Sequence, residues 1–295
     1  MTIYGAIEAG GTKFVCGIGS AQSGSIETRT IATRDPDTTF GEVADFFKEA
    51  GRHGPIAGLG IASFGPVELR ASSSRYGQIL ATPKPYWEGA DMLDRTRAFL
   101  DVPMVIDTDV NAAALAEAAA AGPDITQFAY VTVGTGIGIG LVSGGQPVHG
   151  LSHPEAGHIL PRRHPFHEGF AGVCPFHGDC LEGLASGPAV AAAWGETPSH
   201  FPDDHPFWDV EAHYLSQLCM TLFLTVSPER IVLGGGVMKQ ERLFPLIHQK
   251  TADLLAGYFG AVTNAEQMAE RIVAPLCAEP PGLIGAYLLA ERGHS

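Results

Sequence analysis

Two segments about 125 residues apart are built on one plan, and that repetition limits the fold more than any other feature of the chain. From Ile3 to Ile18 an apolar run meets Gly10-Gly11-Thr12 and then a second apolar run. From Phe128 to Val142 (FAYVTVGTGIGIGLV) the same order recurs around Gly134-Thr135-Gly136. Apolar, β-branched runs broken by a Gly/Thr turn read as strand, turn, strand. Two copies predict two similar lobes, each opening with a hairpin. Between and after them come a helix around Phe40 to Ala50, a strand at Ile56 to Ala62, a helix near Met92 to Leu100 and a strand at Met104 to Ile106. The Ala-rich run DVNAAALAEAAAA from Asp109 to Ala121 is a strong helix former. A long apolar helix from about Asp209 to Val226 precedes the strand ERIVLGG, and helices are expected to the end of the chain. Strands alternating with helices indicate an α/β fold.

Composition enters where it excludes partners. The chain of 295 residues has 18 Lys+Arg against 32 Asp+Glu, a net charge of −14, and no basic run. Contact with a phosphate backbone requires clustered basic side chains, so nucleic acid is not expected as a partner. The longest apolar stretch, Leu218 to Val226, falls far short of the roughly 20 residues of a membrane span. The N-terminus lacks a basic start and a cleavage site, so no signal peptide is expected. Five cysteines are too few for a disulfide scaffold, and a cytoplasmic protein is expected.

Three Gly-rich turns each follow an apolar run: Gly10-Gly11-Thr12-Lys13, Gly134-Thr135-Gly136 and Gly234-Gly235-Gly236. Glycine lets backbone N–H groups approach phosphate oxygens, and Lys13 adds a cation. None matches a P-loop or a dinucleotide fingerprint, so each alone reads first as a structural hairpin turn. Taken together they suggest a nucleotide held between two lobes. Asp109 joins a strand to the Ala-rich helix. It reads as a helix cap, as a base that takes a proton from an attacking hydroxyl, or as both at once. Nine of the twelve histidines lie between His149 and His213. Within that stretch Cys174, His177 and Cys180 form C-x₂-H-x₂-C, which with His158 gives four ligands of the kind zinc prefers. Four protein ligands close the coordination sphere, so the expected role is structural, and a zinc hydrolase, which needs an open metal position, is disfavoured.

The chain resembles the ROK sugar kinases, most closely the bacterial zinc-containing fructokinase subgroup. The likeness rests on IEAGGTKF, SFGP, ATPKPYW, TDVNAAALAE, VGTGIG, GLSHPEAGH, CPFHGDCLEGLASGPA and VLGGGVM, in that order and over nearly the whole sequence. It implies a two-lobed actin-like ATPase (ribonuclease H-like) α/β fold with a nucleotide and sugar cleft between the lobes. Residues 1–118 with a C-terminal helix over 283–295 would form the small lobe, and 119–282 the large lobe with the zinc loop. By the same resemblance the chain is an ATP:hexose phosphotransferase with Mg²⁺, acting on D-fructose, and a homodimer. Asp109 would be the general base. Gly65, Glu155, His158 and Glu182 would hold the sugar, with one ring nitrogen of His158 left for zinc. Gly10, Gly11, Thr12, Lys13, Gly134, Thr135 and Gly136 would cradle phosphates. Pro188 and Gly234 to Gly236 would border the adenosine. Two departures from the family pattern, Thr108 where Asn is usual and His177 where a Cys is usual, favour the fructokinase subgroup. The first strand starts near residue 3, so no DNA-binding helix-turn-helix is expected ahead of it. Kinases of glucose, mannose or an N-acetylhexosamine, and a non-catalytic sugar sensor, are the competing readings.

Overall fold

The computed structural model describes residues 2–278 and 280–294. Its elements run β1 (Ile3–Ala9), β2 (Lys13–Ser20), β3 (Gly24–Ala32), α1 (Pro36–Ala50), β4 (Ile56–Ser63), α2 (Met92–Arg97), β5 (Met104–Thr108) and α3 (Asp109–Ala121). Then come β6 (Gln127–Val133), β7 (Ile137–Ser143), β8 (Gln146–Pro147), α4 (Leu181–Ala185), α5 (Gly187–Trp194), α6 (Phe207–Thr225), β9 (Arg230–Gly234), α7 (Leu243–Leu255), α8 (Ala265–Ala269), β10 (Ile272–Val273) and α9 (Pro281–His294).

The two hairpins seed two five-stranded sheets of one topology. The first has the order β3-β2-β1-β4-β5 and the second β10-β9-β6-β7-β8. In each, the hairpin strands are antiparallel while the later strands join parallel: β1 with β4, β4 with β5, β6 with β9 and β9 with β10. The chain divides into unit 1 (Met1–Ala121, Gln146–Pro154, Cys277–Ser295) and unit 2 (Gly122–Gly145, Glu155–Leu276).

In unit 1 the core gathers Phe14, Phe40, Phe64 and the fully buried Trp87, whose indole N–H donates to the Arg34 carbonyl at 2.7 Å. The Ala-rich face of α3 packs against α9. At Gly285 an added Cβ would lie 1.9 Å from the Ala112 carbonyl oxygen, and at Gly60 on β4 it would lie 1.8 Å from that of Ala286. Only glycine permits that approach, and it seats α9 and α3 on the sheet. Helix α3 runs unbroken to Ala121, so the unit boundary falls at Gly122 (φ +110) rather than at 118/119. Residues 146–154, expected in the second lobe, belong to unit 1.

In unit 2 the apolar face of α6 is buried through Phe207, Tyr214, Leu215, Leu218 and Phe223. Strand β3 was not apparent from sequence because it is a sheet-edge strand with few apolar side chains, half-buried or exposed at every position but Ile31. Among the described residues no helix is long and apolar enough to cross a membrane.

Candidate active site and metal centre

In unit 1 three parallel strands end in register. Ala9 of β1 pairs with Ser63 of β4, and Ser63 pairs with Thr108 of β5. The three segments singled out in the sequence therefore emerge side by side at the carboxyl edge of one sheet: Gly10–Lys13, the Gly65 turn and Asp109. In open α/β sheets that edge is where ligands bind. The Phe64 amide donates to the Ala9 carbonyl at 2.7 Å, tying the second segment to the first. In the Gly10 turn the Gly10 amide donates to the Lys13 carbonyl at 2.9 Å, while Gly11, Thr12 and Lys13 face solvent. Lys84, from the ATPKPYW segment, places its ammonium on the Gly11 carbonyl. It is a second cation beside this turn that sequence reasoning missed.

Asp109 is the first residue of α3 and is half-buried. It is Thr108 that makes the cap bond: its Oγ1 accepts the Asn111 amide at 3.1 Å, three residues on. The Asp109 Oδ1 instead accepts the amide of the next residue, Val110, at 2.9 Å. The neighbouring Asp107 is buried and fully engaged. Its Oδ1 accepts the Thr108 amide at 2.7 Å and the Asn111 side-chain amide at 2.8 Å. Its Oδ2 lies 2.9 Å from Nε2 of His149, and the hydrogen bond to Asp107 holds that imidazole above its ordinary pKa. Beside the Gly65 turn, Nε2 of the buried His153 accepts the Val67 amide at 3.3 Å, and burial holds this ring below the ordinary histidine pKa. Asp107, Asn111, His149 and His153 were not apparent as site residues. Asp107 and Asn111 stand four apart across the strand–helix junction, a spacing that could have been noticed. The two histidines have partners far away in sequence and leave no local signal.

Unit 2 repeats the arrangement. Thr132 on β6 pairs with Gly234 on β9, so the Gly134 and Gly234–Gly236 turns leave the same edge. Gly235 has φ +92, and a Cβ there would stand 2.4 Å from the Val133 carbonyl oxygen, so the two turns approach through a position open only to glycine. The Gly187 amide donates to the Gly134 carbonyl at 2.8 Å, which brings the start of α5 and Pro188 to the same place. Gly134, Thr135, Gly136, Pro188 and Gly234–Gly236 are thus one neighbourhood.

Glu182, in the first turn of α4, accepts the Ile137 amide at 3.0 Å. It therefore closes the glycine turn and faces Glu155 as well. Surrounding protein and the charge of Glu182 push the Glu155 carboxyl up to about 7, although much of its surface stays open to solvent.

The four residues expected to hold a metal also converge. One donor atom each of His158, Cys174, His177 and Cys180 lies within 4.8 Å of all the others. Nδ1 of His158 is 3.4 Å from Sγ of Cys180 and 3.8 Å from Sγ of Cys174, which is 3.7 Å from Nδ1 of His177. A tetrahedral zinc with Zn–S and Zn–N bonds of about 2.3 and 2.0 Å has ligand–ligand edges of about 3.3–3.8 Å. Two thiols and two imidazoles at these separations fit that ion.

The ROK family profile matches residues 4–293. The chain belongs to the ROK family. A putative fructokinase of Bacillus subtilis is 40% identical over 293 residues, covering 98% of this chain and 96% of its own. A fructokinase of Zymomonas mobilis is 40% identical with the same coverage of the two chains. Among solved structures, a ROK glucokinase from Streptomyces griseus in complex with glucose and AMPPNP superposes with a TM-score of 0.75 over 99% of both chains at 22% identity. That ROK likeness shows the fold: two α/β sheets of the actin-like ATPase type.

Proposed function

We propose that this chain catalyses ATP-dependent phosphorylation of D-fructose to fructose 6-phosphate, with Asp109 as general base. What carries the reading is identity of about 40% with fructokinases over 98% of the chain, and Asp109 at the carboxyl edge of its sheet gives it a chemistry. The carboxylate takes the proton of the sugar hydroxyl as its oxygen attacks the γ-phosphorus. The new O–P bond forms as the bond to the β-phosphate oxygen breaks, and ADP leaves. Magnesium enters with ATP as part of that substrate. Gly10–Lys13 and Gly134–Gly136 offer backbone and side-chain donors to the phosphates, and Pro188 with Gly234–Gly236 borders the adenosine. Gly65, Glu155, His158 and Glu182 hold the sugar, since ionised carboxylates accept from vicinal hydroxyls. His158, Cys174, His177 and Cys180 hold a zinc ion that shapes their loop and orients the His158 ring through Nδ1, leaving Nε2 for the sugar. The homodimer and the cytoplasmic location expected from the sequence belong to the same proposal.

A sugar panel with ATP and Mg²⁺ tests the substrate. Fructose is expected to give the highest kcat/KM, by at least about tenfold over glucose, mannose and N-acetylhexosamines, the margin that hydroxyl-specific contacts supply. Highest turnover of another hexose would replace fructose. Sugar binding with no ATP consumption for any of them would leave a sensor.

The Glu155 carboxyl gives a pH signature. With its pKa raised to about 7, it is protonated at acid pH and loses its value as an acceptor. The KM for fructose is therefore expected to rise as pH falls through about 7, while the KM for ATP stays flat. Glu155→Gln should raise the fructose KM at pH 8 and remove the step. An unchanged step in the variant would take Glu155 out of sugar binding.

A further inference from the structure

Residues 146–154 group with unit 1 although the chain on either side, Gly122–Gly145 and Glu155–Leu276, belongs to unit 2; the first two of them, Gln146–Pro147, are also the edge strand β8 of the second sheet. Little of this segment is deeply buried. Of its residues only His153 is buried, and Leu151 is 88% exposed. Two of its polar contacts land at the carboxyl edge of the sheet. His149 meets the buried Asp107 at 2.9 Å, and His153 takes the Val67 amide at 3.3 Å.

We propose that residues 146–154 are a positioning strap for the transfer step. His149 fixes Asp107, and through it the β5–α3 junction that carries Asp109, while His153 fixes the Val67 amide and the Gly65 turn. The inference rests on Asp109 being the base.

The chemistry of the contacts supports both halves. The Asp107 carboxylate holds the Thr108 amide and the Asn111 side chain with one oxygen, and His149 holds the other. Without the imidazole, that oxygen loses its donor and the carboxylate is free to turn about its own bond. Turning releases Thr108, the last residue of β5, and Asn111, in the first turn of α3, which stand on either side of Asp109. The His149 side chain is itself 41% exposed, so it contributes little buried area and its removal spares the core. At His153 the bond runs the other way. The ring must offer an unprotonated Nε2 to the Val67 amide, in keeping with its lowered pKa. The groups around the pair include Asp107, Asn111 and the Pro154 backbone beside His153, and the Tyr76 hydroxyl feels the Asp107 charge. Misplacement of a reacting group by about 1 Å costs on the order of 10²-fold in rate. A base on a loosened junction is therefore slow even when its substrates bind normally.

The test is a set of purified variants of the full chain, assayed for kcat and both KM values beside thermal unfolding. His149→Leu is expected to lower kcat about 10- to 100-fold, with both KM values and Tm little changed. His149→Gln puts an amide N–H near the Nε2 position and is expected to recover to within about threefold of wild type. His153→Leu should raise the fructose KM, and His153→Gln, which keeps an acceptor, should restore it. Asp109→Asn runs beside them. If it is inactive while His149→Leu turns over like wild type, the strap does not position the base. If Leu and Gln at 149 lose activity and Tm in equal measure, the contact is only structural and the proposal falls. If Asp109→Asn itself turns over normally, the base assignment fails first, and its failure is told apart from that of the strap.

Discussion

Asp109→Asn is expected to lower kcat for fructose phosphorylation by about 10³-fold with no loss of folded protein. Asparagine keeps the shape of the side chain and an oxygen that can still accept the Val110 amide, the contact made at 2.9 Å in the native chain. The helix does not depend on the Asp109 carboxylate for its cap, because Thr108 makes that bond to Asn111. What the amide cannot do is take a proton. A factor of 10³ corresponds to about 4 kcal/mol of lost transition-state stabilisation, within what a positioned base supplies. The two KM values should move by no more than about threefold, since proton transfer is a feature of the transition state and not of ground-state binding. Turnover within about tenfold of wild type in a folded, ATP-binding variant would overturn the assignment.

That prediction could be framed from sequence because everything it needs is local. Alanine content marks α3, the Gly/Thr turns mark the strand ends, and Asp109 stands where strand becomes helix. The repeated hairpin likewise pointed to two related sheets, because alternation and glycine are read within one window. The C-x₂-H-x₂-C spacing is local too, and it brings three of the four proposed metal-ligand side chains together within seven residues. What could not be read depends on side-chain torsions, on a neighbouring strand or on partners distant in the chain. The cap passed from Asp109 to Thr108 because the choice lies in side-chain torsions, and both residue types cap helices well. Strand β3 is a polar edge that only its neighbour β2 defines. Residues 146–154 look like loop by composition, and nothing in them announces that His149 will find Asp107. Lys84 reaches the Gly10 turn across more than seventy residues. For His149 and Lys84 the missing information is a tertiary contact, and chemistry-bearing side chains at strand ends are where such contacts gather.

The cysteine loop gives the second large effect. Cys180→Ser is expected to abolish zinc binding and, with it, to weaken both the fold around the loop and sugar recognition. Cys180 is fully buried and lies against Nδ1 of His158 and near Cys174, so it stands at the centre of the four donors. A metal joining residues 158 and 180 closes a chain segment much as a disulfide would, and for a loop of this length such a link is worth about 3 kcal/mol. A melting temperature several degrees below wild type follows. The loop ends directly at α4, which carries Glu182, and begins at His158, three residues after Glu155. Loosening it therefore disturbs three proposed sugar-binding residues at once and should raise the fructose KM about tenfold or more. The ATP side of unit 2 is held separately, by the register of β6 with β9 and by the Gly187 to Gly134 hydrogen bond, so the KM for ATP should change little. Stripping wild-type protein with a strong chelator should reproduce the same split, and adding zinc back should reverse it. Metal analysis of protein purified without chelator should find one zinc per chain in wild type and none in Cys180→Ser. Wild-type protein free of zinc, or a variant that keeps it, would remove the metal from this site. Loss of zinc with an unchanged fructose KM would leave the ion in place but confine its role to holding the loop.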